Sequence, residues 1–536
     1  MKHSAKKATK LTAPLCFFLY AFSGALLALP IAFPAFWLAG WIAPIPVLYL
    51  ELCKKEKDSY LRAYGRGMCF FWFFGIVVFH WFTQLYPLDF LGFEKSDALI
   101  TVLLATLGIP LLQSIVSSLV FVFICFIRKK GFIKAHPILS SVFTASLFSL
   151  FEFCHTLTWI GVPWGRFAVG QVGCLQIIQS VSLFGSYFIT FIMIFTSSLL
   201  AVFIKKAREK QFRSSVLCLT LAMLVFFMNF TFGAVKCALP EKDAETVTVG
   251  AVQGNIRFED KWDNKARYTM DTYSSLTKKA AGDGAELVIW PETALPYDIS
   301  ENDAIYEFFS ETSRESGCQV LITVFESDTT GIYNTARLAK KDGTIDGTVY
   351  KKRHLVPFGE YIPMEELISA VYPPLTELSS MMEEISPGED TAIIDTDYGR
   401  LGTLICFDSI YEELCRESVS DGAELIAIST NDSWFSKSSA LSQHNAQAQL
   451  RAVENGRYVV RAANTGISSV ISPKGEILTS IGDSEEGFIT ADVRFLDNTT
   501  LYTRTGNIFV FFCALYVAII TAAALIENKK RREKQK

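Results

Sequence analysis

Charge is scarce in this sequence. Asp, Glu, Lys and Arg make up 19% of its 536 residues, whereas half of the residues are hydrophobic. Soluble domains usually carry about a quarter charged residues, so the balance argues against a purely soluble chain. A basic excess is missing too. The formal net charge is −4, which leaves no electrostatic footprint for nucleic acid. There is no C-x-x-C pair and no His/Cys cluster at ligand spacing, so no zinc site is expected. No repeat of fixed period stands out, which argues against a solenoid or propeller.

What is abundant is Phe, with 44 residues, and long apolar runs. A bilayer core about 30 Å thick needs roughly 20 apolar residues to cross it. Runs of that kind are expected at about 11–29, 31–50, 67–86, 98–127, 137–157, 174–204, 214–233 and 507–526. The 98–127 and 174–204 runs are longer than needed, which predicts tilt or continuation beyond the lipid. The first run follows Lys2, Lys6, Lys7 and Lys10 as in a signal peptide. Its length and the apolar sequence after it favour an uncleaved span. Of twelve cysteines, eight (16, 53, 69, 125, 154, 174, 218 and 513) lie in or beside these runs. Cys237, Cys318, Cys406 and Cys415 remain, which is no disulfide framework, although a single bridge stays open.

Basic clusters alternate with loops poor in Lys and Arg. They lie at the N-terminus, at 54–66, 128–134 and 205–213, and in the C-terminal tail from Lys529. By the positive-inside rule both termini are cytoplasmic, and the segment of about 234–506 lies on the other side. Phe79-His80-Trp81 and the 159–166 stretch with Trp164 and Arg166 then fall near outer span ends. They are expected to be interface anchors, with His80 and His155 as polar tips. The alternative for these aromatics is a lipid-holding mouth beside the site.

The segment after 234 reads differently. Thr246 to Val252 alternates and is β-branched, as a strand does. Strands are expected at 286–290, 319–325, 392–395, 401–406, 424–429, 458–463, 467–472 and 476–480. Helices are expected at 264–281, 302–315, 411–420 and 442–455. A hairpin-like run, 333–351, carries the turn pairs Asp342-Gly343 and Asp346-Gly347. Alternating strands and helices predict a layered α/β domain.

Three of the apolar runs end on chemistry. Leu401 to Ile405 delivers Cys406, then Phe407-Asp408. Leu287 to Trp290 delivers Pro291 and Glu292. The run 350–360 delivers Lys352 and, beyond Val356-Pro357-Phe358-Gly359, Glu360. Strand ends are where α/β folds place their sites. Alone, Cys406 would read as a buried inert cysteine. Beside a carboxylate base and an ammonium it reads as a nucleophile, because the base takes the thiol proton and the ammonium holds an oxyanion.

Glu292, Lys352 and Cys406 resemble the Glu-Lys-Cys triad of the nitrilase, or carbon–nitrogen hydrolase, superfamily. Trp290-Pro291-Glu292-Thr293, the Lys352–Glu360 stretch, Asn431-Asp432-Ser433-Trp434-Phe435 and Arg504-Thr505-Gly506-Asn507 are similar to the apolipoprotein N-acyltransferase family within it. The resemblance implies a multi-pass α-helical membrane domain plus an α/β nitrilase-like αββα sandwich. On this reading 1–233 is the membrane domain with seven spans and 234–506 is a periplasmic catalytic domain. Residues 507–536 are a last span and a basic cytoplasmic tail, and the location is a bacterial inner membrane.

The implied reaction moves a fatty acyl chain from a phospholipid, phosphatidylethanolamine being the donor implied, through a Cys406 thioester. The acceptor is the N-terminal amine of a diacylglyceryl-cysteine on an apolipoprotein. No cofactor and no metal are implied. Glu292 would be the base, Lys352 the oxyanion cation and Cys406 the nucleophile. Glu360 would orient Lys352, Trp262 would cover the site, and Asn431, Asp432 and Trp434 would shape the loop beside Cys406. Where many relatives have Tyr-Glu after the cysteine, this chain has Phe407-Asp408, which puts a role for those two positions in doubt. The alternatives are a membrane-tethered amidase that gives the acyl group to water, and a non-catalytic lipid- or lipoprotein-binding protein.

Overall fold

A computed structural model of the chain describes residues 13–53, 58–88, 93–241, 244–257, 266–375, 385–435 and 437–534. Among these, seven helices are long and apolar enough to cross a bilayer. They are α1 (Ala13–Ala32), α2 (Tyr60–Val78), α3 (Lys95–Lys129), α4 (Pro137–Cys154), α5 (Ser186–Arg208), α6 (Phe212–Ala238) and a last helix, Ile508–Glu533.

Two of the eight expected spans differ. Residues 31–50 do not form one helix. Proline cannot donate a backbone hydrogen bond and crowds the preceding turn; at Pro34 the chain goes into a 3-10 turn, and a short apolar helix, Ala39–Leu52, follows. The 174–204 run breaks at Gly185, whose φ of +75° suits glycine. Only its second part is a span, α5. The first part, Leu175–Phe184, pairs with Pro163–Gln171 across a bend of 120°. The long helix α3 has 35 residues, about 52 Å at 1.5 Å per residue, and contains a π-turn at Leu104–Gly108 just before Pro110.

The bundle closes by small residues and balanced charge. At Gly24 of α1 an added Cβ would lie 2.0 Å from the Phe70 carbonyl oxygen of α2, so only glycine permits that crossing. Charges within such a bundle need partners. Among the described residues, Arg66 of α2 and Arg128 of α3 both meet Glu51 and Asp58, at 2.5 to 2.8 Å, so each arginine is paired with two carboxylates. The flanks of α6 and the last helix expose Leu217, Phe227, Met228, Phe511, Phe512 and Ile519, the apolar surface that lipid would cover.

The α/β part has two six-stranded sheets. The first has the order β12-β1-β2-β3-β4-β5 and the second β11-β10-β9-β8-β7-β6. The strands are β1 (Thr246–Gln253), β2 (Leu287–Ile289), β3 (Gln319–Asp328), β4 (Gly331–Ala339), β5 (Tyr350–Lys351), β6 (Ile394–Thr396), β7 (Gly399–Ile405), β8 (Leu425–Thr430), β9 (Val459–Ala463), β10 (Ser468–Ile471), β11 (Ile477–Ile481) and β12 (Gly487–Arg494). The inner strands β1, β2 and β3 run parallel, as do β7, β8 and β9. The edge strand β12 is not among the expected strands. It pairs antiparallel with β1 throughout, from Thr246 with Arg494 to Gln253 with Gly487.

Side chains alternate across each strand. Val249, Ala251, Leu287, Ile289, Leu425 and Ala427 meet between the sheets. Val252, Val288, Val320 and Ile322 face outward, under α7 (Ala266–Gly282) and α8 (Asp303–Ser316). Ile426 and Ile428 face the other way, under α9 (Glu412–Ser420) and α10 (Ser439–Asn455). The result is the αββα sandwich. The last helix is α11 (Ile508–Glu533). The apolar cluster around Ile426, Leu414, Leu450 and Val453 continues into Tyr20, Phe148, Ile192 and Ile520 of the bundle. One core therefore runs from the second sheet into the membrane helices.

This corrects the anchor reading of Trp164 and Arg166. Trp164 is 3% and Arg166 1% exposed. The indole of Trp164 donates to Gln443 on α10, and Arg166 pairs with Glu412 on α9. The partners lie 279 and 246 positions away, so the local sequence shows only aromatics near a span end. Trp81 and Phe79 are likewise buried. His155 meets the Ser117 hydroxyl at 2.8 Å, and His80 reaches Ser439 at the start of α10 at 3.4 Å.

Candidate active site

Glu292, Lys352 and Cys406 leave three different strands at the same end of the sandwich. Cys406 follows β7 with a φ of +50°, and Thr293, just after Glu292, has a φ of +42°. Non-glycine residues seldom adopt this region, least of all β-branched ones, and such strain concentrates at functional sites. Here it turns both chains sharply at the sheet edge.

Glu292 is held on three sides. Its Oε1 accepts from the Lys352 ammonium at 2.9 Å and from the Asn334 amide of β4 at 2.9 Å, and its Oε2 accepts from the Asn431 N–H at 3.0 Å. Asn334 also accepts the Lys352 N–H through its own carbonyl, at 2.8 Å. One residue thus sets the spacing of both. Lys352 donates to a second carboxylate, Glu360 Oε1, at 2.7 Å, and Glu360 Oε2 accepts from the Val356 N–H at 2.8 Å. Asn431 additionally accepts from the Asn464 side chain.

Lys352 is 1% exposed. Burial favours the neutral amine, but Glu292 and Glu360 outweigh it and hold the ammonium well above the ordinary lysine range. Burial raises the Glu360 carboxyl, with Lys352 pulling it back. The Cys406 thiol is raised well above the usual cysteine range by burial and then by Glu292; Lys352 opposes both, and Asp432 adds to the rise. The resting nucleophile is therefore the thiol, and a neighbouring base has a proton to remove. A base, a cation and a half-buried thiol in this arrangement can perform acyl transfer through a thioester.

Asp408, whose role the departure from Tyr-Glu left in doubt, has a clear structural part. Its Oδ1 accepts the His354 N–H at 2.7 Å and the Arg353 N–H at 3.3 Å. Its Oδ2 accepts the Tyr350 hydroxyl at 2.8 Å and the Ile405 N–H at 3.1 Å. The carboxylate thus clamps the chain on both sides of Lys352 to the chain before Cys406. Phe407 packs edge-to-face on Tyr411, and the His354 ring stacks on Tyr411 at 3.9 Å.

Of the expected loop residues, Asp432 lies fully buried beneath Cys406, and Arg461 and His444 hold its carboxyl well below the usual range against the effect of burial. Trp434 packs against Leu88, Phe93, Ala98 and Val102 of the membrane part. Trp262 lies outside the described residues. Sequence reading missed Asn334, Thr430, Ser409, His444 and Arg461. Only Arg461 carried a signal, as a charge inside the apolar strand Val459–Ala463, since a buried arginine implies a partner. Among the described residues no group of three or more His, Cys, Asp and Glu side chains is arranged to hold a metal ion.

Residues 248–499 match the family model described as carbon-nitrogen hydrolase, and residues 23–199 match the apolipoprotein N-acyltransferase N-terminal domain. The apolipoprotein N-acyltransferase of Geobacter metallireducens is 30% identical over 512 residues, covering 94% of each chain. That of Gloeobacter violaceus is 30% identical over 472 residues, covering 88% of this chain and 86% of its own. Among solved structures, Saccharomyces cerevisiae Nit3, of the nitrilase superfamily, is 23% identical, covers 48% of this chain and 93% of its own, and has a TM-score of 0.37. With both halves matched and near-complete coverage at 30% identity, this chain belongs to the apolipoprotein N-acyltransferase family.

Proposed function

We propose that this membrane acyltransferase N-acylates lipoproteins with Glu292, Lys352 and Cys406 as its catalytic residues. The observation that carries the reading is the single hydrogen-bonded set formed by Glu292, Lys352, Glu360 and Asn334 beside the half-buried Cys406 thiol. In the first half-reaction Glu292 takes the thiol proton as sulfur attacks an ester carbonyl of a phospholipid. The oxyanion is held by the Lys352 ammonium and by the Phe407 N–H. The C–O bond then breaks, the lysophospholipid leaves with the proton from Glu292, and an S-acyl Cys406 remains.

In the second half-reaction the α-amine of a diacylglyceryl-cysteine attacks the thioester. Glu292 accepts the amine proton and returns it to sulfur as the C–S bond breaks. The acyl donor proposed is phosphatidylethanolamine. The alternating basic clusters support cytoplasmic termini in a bacterial inner membrane, with 1–233 and 507–536 forming the membrane part and 234–506 the periplasmic catalytic part.

The test incubates detergent-purified protein with phosphatidylethanolamine and follows the mass of the Cys406 peptide, with Cys406→Ala as control. An adduct that discharges onto a diacylated lipopeptide amine supports the proposal. Discharge only to water points instead to a tethered amidase. No adduct in active lipid overturns the site assignment.

A further inference from the structure

The carbonyl of Cys406 has a dedicated hydrogen-bonding apparatus. The Ser409 hydroxyl donates to it at 2.7 Å, and His444 Nε2 lies 3.3 Å from it and 2.9 Å from Ser409 Oγ. Ser409 has one hydroxyl proton, and at 2.7 Å it goes to the carbonyl. Its oxygen therefore faces His444 as an acceptor, so Nε2 carries a proton. On the other side of the ring, Nδ1 faces Asp432 Oδ1 at 2.9 Å. Arg461 Nη2, a donor only, lies 2.6 Å from Asp432 Oδ2 and 3.1 Å from Nδ1. The Thr430 hydroxyl completes the set by donating to Asp432 Oδ1 at 3.0 Å.

This apparatus is fully inside the protein. His444 is 1% exposed, and Asp432 and Arg461 are no more so. The ring is wedged between Trp164, at 5.5 Å, and Phe435, at 6.1 Å. The charged groups that face this network are Asp432 from the loop after β8, Arg461 from β9, and Glu292 and Lys352 across the Cys406 thiol.

A trans peptide is planar, with its C=O and N–H pointing in opposite directions. Fixing the Cys406 carbonyl therefore fixes the Phe407 N–H on the other edge of the same peptide. Hydrogen bonds accepted by the carbonyl also polarise the amide and strengthen its N–H as a donor. We infer that His444, acting with Ser409, is a positioning residue that aims and polarises the Cys406–Phe407 peptide, so that the Phe407 N–H meets the oxyanion. The inference rests on the proposed role of Cys406. It adds that the oxyanion site is prepared from behind, by a histidine that never touches substrate.

The experiment measures the pre-steady-state rate of acyl-adduct formation on the Cys406 peptide of the detergent-purified full chain with phosphatidylethanolamine. Thermal melting is recorded alongside. The variants are His444→Leu, His444→Gln and Ser409→Ala. Expected are a ten- to hundredfold slower acylation in His444→Leu, on the scale of a roughly 1 Å misplacement, and an unchanged KM for the phospholipid. His444→Gln, which offers an amide N–H, recovers part of the rate, and Ser409→Ala slows in the same direction.

Wild-type rates in His444→Leu and Ser409→Ala overturn the inference. So does a loss of rate that only tracks loss of folded protein, or a glutamine variant no faster than leucine. Should His444→Leu fail to fold, Ser409→Ala, which leaves the ring packing intact, decides by its rate alone. A wild-type protein that acylates while the variants behave as wild type sinks this inference only. A wild-type protein that forms no adduct sinks the assignment of Cys406 and this inference with it.

Discussion

Lys352 carries its charge into a place almost without water because two carboxylates meet it there. Removing one member of a buried ion set leaves the rest uncompensated, at a cost of about 3–5 kcal/mol. Lys352→Met is therefore expected to form no acyl adduct and to melt well below the wild type in detergent. A variant with unchanged melting would mean that the carboxylates are solvated without the ammonium. The Cys406 thiol gives a second test. Its proton is held more tightly than that of an ordinary cysteine, first by burial and then by Glu292, and the thiolate is the species that alkylates. Raising the pH is therefore expected to keep increasing the alkylation rate of Cys406 in the folded protein after the rate of a free-thiol control has levelled off. A rate that levels off in the same pH range as that of a free thiol, whose pKa is about 8.5, would contradict this setting.

Elements bring these groups together by ending abruptly. β2, β5 and β7 each stop one to three residues before Glu292, Lys352 and Cys406, and Asn334 and Asp408 tie the three ends to one another. The membrane helices are organised in a comparable way. Gly185 breaks the expected span before α5, and an added Cβ there would lie 2.7 Å from the Tyr502 ring. Gly185→Ala combines that overlap with a left-handed backbone, and a cost of about 1–3 kcal/mol is expected, read as a lower melting temperature. Unchanged melting would show that Tyr502 and the turn give way freely. The strand ends were legible in the sequence because a buried strand is a short apolar run and its end is a change of composition. The helix breaks at Pro34 and Gly185 were not legible, since the surrounding residues are as apolar as the spans themselves.

At the scale of the molecule, the second sheet and its helices share their outer core with the membrane bundle. Ile410, Leu414, Val419, Leu450 and Val453 pack in the same cluster as Tyr20, Phe148 and Ile192. Residues 234–506 expressed alone would expose that surface, and contiguous apolar patches of this kind drive association. The fragment is expected to aggregate or to bind a hydrophobic dye. A monomeric fragment with native near-ultraviolet dichroism would show that its core is self-sufficient. The sequence by itself determined six of the eight apolar spans, the α/β alternation and the run ends at Glu292, Lys352 and Cys406, because burial is written locally in period and composition. Only the tertiary structure decided what lies behind and between them. His444 and Asn334 sit in ordinary helical and strand sequence, and Trp164 and Arg166 look like interface anchors until their partners, 279 and 246 positions away, come into contact. A hydrogen bond between distant segments leaves no period in either, so its existence depends on how the layers pack.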